Sequence, residues 1–168
     1  VKANQVVNGK LTLRRVTRPG DDARLWAILG PIFRAGDTYA IDPGIAEDDA
    51  LAYWCGPAHE TWLTEDGTGS YYLRANQGGN GDHVCNAGFA TSQAARGRGT
   101  ARGMLEHALD RGRDRGFRAM QFNFVVSRNV RALAIWSDYG FDIVGRVPQA
   151  FRHPEEGFVD ALVLHRFL

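Results

Sequence analysis

The stretch Arg96-Gly97-Arg98-Gly99-Thr100-Ala101 decides the reading of this chain. It follows a strand-like run, His83 to Thr91, and opens an amphipathic helix. That helix carries Ala101, Met104, Leu105, Ala108 and Leu109 on one face, at i, i+3, i+4, i+7, i+8 spacing. Two glycines let main-chain N–H groups come close to a ligand. The helix start adds its own unpaired N–H groups and the positive end of its dipole. The combination is an anion site suited to phosphate. A P-loop would need Gly-Lys-Ser/Thr at its end, but the only lysines are Lys2 and Lys10. A dinucleotide fingerprint would need a third glycine where Arg102 stands. An R-x-x-G-x-A pyrophosphate loop fits.

Working outward, helices and strands alternate. Lys10 to Val16 alternates apolar and polar residues as a first strand. Asp21 or Asp22 caps a helix through Phe33 that Gly36 ends. Ala46 to Trp54 forms a second helix, with Glu47, Asp48 and Asp49 in its first turn, where the dipole favours them. Glu60 to Glu65 and Ser70 to Ala75 make a hairpin about Asp66-Gly67. His83 to Thr91 is the fourth strand, and Gly88 inside it marks a bulge or a close approach of ligand to backbone. Downstream, the helix runs from Gly99 to about Arg115, and Ala119 to Val126 is the fifth strand. Asn129 to Tyr139 is a further helix. Phe141 to Val147 and Phe158 to Phe167 are the last strands, joined by a polar loop through Arg152, His153 and Pro154. The expected class is α/β (α+β) with a mixed sheet.

Composition sets the bounds. At 168 residues the chain reads as one domain, residues 1–168. Its 44% hydrophobic and 23% charged residues argue against disorder. No apolar run approaches the ~20 residues of a membrane span, and the N-terminus lacks a secretory apolar stretch, so a cytoplasmic protein without membrane attachment is expected. Cys55 and Cys85 are too few for a disulfide framework, and the five histidines show no ligand spacing, so no metal is expected. Residues 1–95 carry 8 basic and 11 acidic side chains, while residues 96–168 carry 12 and 8. Seven arginines between Arg96 and Arg118 favour an anionic partner. Nucleic acid is not expected, since the cluster lacks interleaved aromatics and the net charge is +1.

Arg96-x-x-Gly99-x-Ala101, followed by Asn129-x-x-Ala132 and then Tyr139-Gly140-Phe141, resembles the two signatures of the GNAT superfamily of N-acetyltransferases. The likeness covers residues 82–168 and implies a mostly antiparallel mixed sheet with helices on both faces and splayed fourth and fifth strands. It implies acetyl-CoA as cosubstrate, with its phosphates at Arg96, Gly97, Arg98, Gly99, Thr100, Ala101 and Arg102. The pantetheine arm would pair with Phe89, Ala90 and Thr91, and Asn129 would bond it. A strand-four N–H would polarise the thioester carbonyl. The family's usual tyrosine acid falls at Trp136, which has no proton to give, and Tyr139 points about 60° away on a helical wheel.

A finer likeness is to fungal and bacterial acetyltransferases of proline analogues such as azetidine-2-carboxylate. It rests on Cys85-Asn86-Ala87-Gly88-Phe89, Gln121 to Val126, Asn129 with Trp136, and Gly157 to Ala161. It implies that Asn86 and Asn123 hold a small amino or imino acid. An Asn within an apolar strand needs a partner, which a buried backbone group at a bulge would also supply. A polyamine, an aminoglycoside or a protein N-terminus is the alternative acceptor. A non-catalytic acyl-CoA sensor is the alternative activity. The likeness also allows a homodimer.

Overall fold

The computed structural model describes residues 5–7 and 11–168, and of residues 5–7 the backbone alone. The elements are β1 (Gln5–Val7), β2 (Leu11–Arg15), α1 (Asp22–Ala35), α2 (Glu47–Trp54), β3 (Glu60–Thr64), β4 (Gly69–Ala75) and β5 (Val84–Thr91). They continue with α3 (Thr100–Asp114), β6 (Ala119–Val126), α4 (Val130–Asp138), β7 (Asp142–His153) and β8 (Gly157–Phe167). The strands among the described residues form one sheet in the order β1-β2-β3-β4-β5-β6-β8-β7. Neighbours are antiparallel except β5 and β6, which run parallel.

Period-two alternation sorts the strand side chains between two cores. Tyr71 and Leu73 face the cluster built with Met104, Leu105 and Ala108 of α3 and Trp136 of α4. Their neighbour Tyr72 faces the other cluster, with Leu25, Ile28 and Phe33 of α1 and Leu51 and Trp54 of α2. Helices therefore cover both faces. The apolar stripe expected on α3 is buried at Met104, Leu105, Ala108 and Leu109. No helix among the described residues is long and apolar enough to cross a membrane.

The feature that makes a site is the parting of β5 and β6. They pair at Val84↔Ala119 and Cys85↔Met120 and no further. Beyond Asn86, β5 stays with β4 through Gly69↔Thr91, while β6 follows β8 with a register shift between Phe122 and Val125. Trp136 sits in the crotch, its ring 5.3 Å from Phe89 of β5 and 4.9 Å from Phe122 of β6.

Three expectations need correction. An additional strand, β1, precedes the first one expected, so the expected fourth and fifth strands are β5 and β6. The polar loop around Arg152 and His153 is strand: β7 runs to His153, and a register shift between Val147 and Phe151 absorbs Pro148, with Gln149 at φ 48°. Asp21 stands at the start of α1 without capping it. Its carboxylate is taken by Arg14 at 2.6 and 2.8 Å and by the Thr17 N–H at 2.8 Å.

Candidate active site

The Arg96–Ala101 stretch turns from a short 3-10 segment, Gln93–Ala95, into α3. Gly97 and Gly99 take φ of 76° and 80°, a conformation that side chains disfavour. The Arg96 and Arg98 amides close onto Gln93 and Ala95, and Gly103 N–H bonds Gly99. Among the described residues, the N–H groups of Gly97, Gly99, Thr100, Ala101 and Arg102 are left without a partner. Nothing stands within 4 Å of where a Cβ on Gly97 or Gly99 would project. Arg96 and Arg98 are exposed and form no salt bridge among the described residues. Arg102 reaches α4, pairing with Asp138 at 2.5 Å and lying over the Tyr139 ring. A cradle of free amides with two unpaired guanidinium groups fits a diphosphate.

The gap continues this cradle. Along β5, His83 turns its carbonyl to Arg118 N–H and Val84 turns its own to Asn76 N–H. Alternation then aims the main chains of Phe89 and Thr91 into the gap and that of Ala90 at Ser70 in the ladder. Phe89 and Thr91 are the two of the expected trio that can pair with a ligand there. The Tyr39 hydroxyl, from the loop between α1 and α2, donates to the Phe89 carbonyl. Burial raises its pKa well above the usual phenol value.

On the face covered by α1 and α2, Asn86 is almost fully buried, and its Nδ2 donates to the Gln121 carbonyl at 3.0 Å. It ties β5 to β6 at the point where the main-chain pairing stops. Asn123 is exposed, accepts from Gln121 Nε2 at 3.0 Å and donates to Asn76 Oδ1 at 2.7 Å. The two asparagines expected to hold substrate thus lie on one face at the base of the gap. Gly88 is not open to a ligand from this face: the hydroxyl end of the Tyr72 ring packs against it. His59 stacks on Tyr72 at 4.2 Å and bonds the Trp54 carbonyl through Nδ1 at 3.0 Å. A carbonyl only accepts, so Nδ1 carries the proton and Nε2 is the basic nitrogen. Burial, with Arg74 nearby, lowers the His59 pKa.

The opposite wall comes from α4. The Asn129 side chain accepts from Ala132 N–H at 3.3 Å, an N-cap that leaves its amide NH2 free. Trp136 is buried among aromatic rings. The Tyr139 hydroxyl turns away from the gap to Glu106 of α3, at 2.5 Å. Cys85 is sealed in the core, which pushes its thiol up to about 12 and removes it as a nucleophile.

Arg74, Asn76, Tyr39 and His59 line this region and were not singled out from sequence. For Arg74 there is a signal: it is the charged residue in Tyr71-Tyr72-Leu73-Arg74-Ala75, on the same face as Tyr72. Tyr39 lies in a loop without periodicity, so no pattern points to it.

Comparison with known proteins agrees with this geometry. The chain is 31% identical over 96 residues to the N-acetyltransferase aca1 of Schizosaccharomyces pombe, 56% of this chain and 46% of that protein. It therefore spans just under half the length of that relative. A GCN5-related N-acetyltransferase structure from Kribbella flavida superposes with a TM-score of 0.86 at 38% identity, covering 94% of this chain and 98% of that one. A phosphinothricin acetyltransferase from Sinorhizobium meliloti, solved in complex with AcCoA, shares the fold at a TM-score of 0.79 and 19% identity, covering 94% and 88%. The model of the acetyltransferase (GNAT) family matches residues 26–141, and the chain belongs to that family.

Proposed function

We propose that this chain transfers the acetyl group of acetyl-CoA to the nitrogen of a small amino or imino acid, with the described residues acting as one catalytic unit. The observation that carries the reading is the parted pair of strands, ending at Cys85↔Met120, with a cradle of unpaired amides at Gly97 to Arg102 beside it. Acetyl-CoA supplies an activated acyl carbon with a thiolate leaving group.

The residues divide the work as follows. The loop amides with Arg96 and Arg98 hold the diphosphate. The main chains of Phe89 and Thr91 align the pantetheine arm, joined by the Asn129 NH2. The Phe89 N–H, aimed into the gap, stabilises negative charge on the thioester oxygen. The acceptor enters from the α1–α2 face, over Asn86 and Asn123. His59, held neutral with Nε2 free, takes the amine proton directly or through water. Trp136 has an N–H that can donate a hydrogen bond but not a proton at neutral pH. The thiolate therefore leaves without an acid from α4, which its modest basicity permits.

The test is a thiol-release assay with acetyl-CoA against amino acids, imino acids such as azetidine-2-carboxylate, polyamines and aminoglycosides. Turnover greatest with small amino or imino acids is expected. Turnover of cationic amines alone would remove the acceptor assignment. Coenzyme binding with no acceptor turned over would favour an acyl-CoA sensor.

A further inference from the structure

Four arginines are held half-buried among the described residues: Arg14, Arg74, Arg111 and Arg166. Arg14 is paired with Asp21, Arg111 with Glu60, and Arg166 with the carbonyls of Tyr139 and Phe167. Arg74 alone among them makes no hydrogen bond, ion pair or ring contact within the described chain. Withdrawing a guanidinium from water without a partner is unfavourable, and a fold keeps such an arrangement where a ligand completes it.

The location says which ligand. Arg74 sits directly opposite Asn86 in the β4–β5 ladder, so both side chains leave the sheet on the α1–α2 face. Two residues on, Asn76 accepts from Asn123, which spans from β6. Two residues back is Tyr72, stacked on His59. The groups around Arg74 are thus amides, a phenol and a neutral imidazole, and no carboxylate of the described chain pairs with it. An arginine fork in a ring of neutral donors and acceptors matches a planar carboxylate.

We propose that Arg74 is the carboxylate anchor of the acceptor site, binding the α-carboxylate of the amino or imino acid while Asn76 and Asn123 flank it. This rests on the acceptor reading above and deepens it. The anchor fixes one end of a short acceptor so that its nitrogen projects toward the gap, which makes Arg74 a determinant of specificity. It also reconciles an acidic N-terminal half with an anionic group on the substrate: the local charge at the site is positive although residues 1–95 sum to −3.

The experiment measures kcat/KM for azetidine-2-carboxylate, or for whichever amino or imino acid is turned over best, and for its uncharged carboxamide. The wild type is expected to prefer the acid. Arg74→Met is expected to lose on the order of a hundredfold on the acid, so that the acid-to-carboxamide ratio falls toward one. Arg74→Lys, which keeps the charge and loses the fork, is expected to restore part of the preference. A ratio unchanged in both variants overturns the anchor while leaving the acceptor reading intact. A wild type that prefers the carboxamide, or that turns over only diamines, overturns both and is seen before any variant is made. Coenzyme affinity measured on each variant identifies one that has misfolded, in which case Arg74→Gln, which retains polarity and removes the charge, carries the test.

Discussion

Gly88→Ala probes the contact that shapes the sheet face under α1 and α2. A Cβ at this position would stand 2.5 Å from Tyr72 Cε1, 2.6 Å from Cζ and 2.8 Å from the hydroxyl oxygen. Carbon atoms rest at about 3.5–4.0 Å, so ring or strand must move by about 1 Å. Gly88 is not among the glycines with positive φ, so the substitution adds no backbone strain and isolates the clash. The ring has little room to yield. It is 6% exposed, stacked on His59 at 4.2 Å and held edge-on by Trp54 at 4.9 Å. Overpacking of this kind costs about 1–3 kcal/mol. For a chain of this size that lowers Tm by about 3–10 °C, read by differential scanning calorimetry. If β5 yields instead, it moves and changes the gap, and turnover of acetyl-CoA falls with stability. Adding Tyr72→Ala opens the space, so the double variant loses less than the two single losses summed. A Gly88→Ala protein melting within about 1 °C of the wild type, or strictly additive losses, would refute this packing.

Two further outcomes are expected. Gly99→Ala forces a side chain into φ of 80° at about 1–2 kcal/mol and sets a methyl beside the unpaired amides; calorimetric CoA affinity should fall at least about tenfold, and unchanged affinity would count against the cradle. His107 is fully buried, with Nδ1 against the Tyr71 hydroxyl at 2.5 Å and Nε2 without a partner among the described residues, and burial lowers its pKa from 6.5 to about 4. The folded state therefore binds fewer protons than the unfolded one between those values. Its contribution is full above about pH 6.5 and is lost as pH falls through about 4, on the order of 3 kcal/mol. His107→Gln should flatten denaturation free energy across that window, and a wild-type profile already flat there would refute the assignment.

The order of elements was legible because each carries its own period and punctuation. The i, i+3, i+4 stripe of α3, the Asp66-Gly67 turn with φ of 71° at Gly67, and the stop at Gly36 with φ of 66° all lie in local sequence. The cradle of unpartnered amides from Gly97 to Arg102 was legible for the same reason, being built from consecutive main-chain groups. What local sequence does not hold is the choice among partners. Asp21 looks like a cap until Arg14 and Thr17 claim its carboxylate. Arg102 reads as a phosphate donor, and local sequence does not show that its side chain also meets Asp138 on α4. The long β7 was hidden because Pro148 and a polar run suggest a loop, whereas a register shift lets the ladder continue past them. On the face under α1 and α2, Arg74, His59 and Tyr39 come from three separate segments, and only the sheet brings them near Asn86.

The separation of β5 and β6 is filled from the α4 side by the packed rings of Phe89, Trp136 and Phe122. A close-packed cluster of aromatic rings resists compression, so it holds the two strands apart. The work of opening then belongs to folding and is done once, rather than in every cycle. On the function proposed above, reactants would meet a surface already prepared.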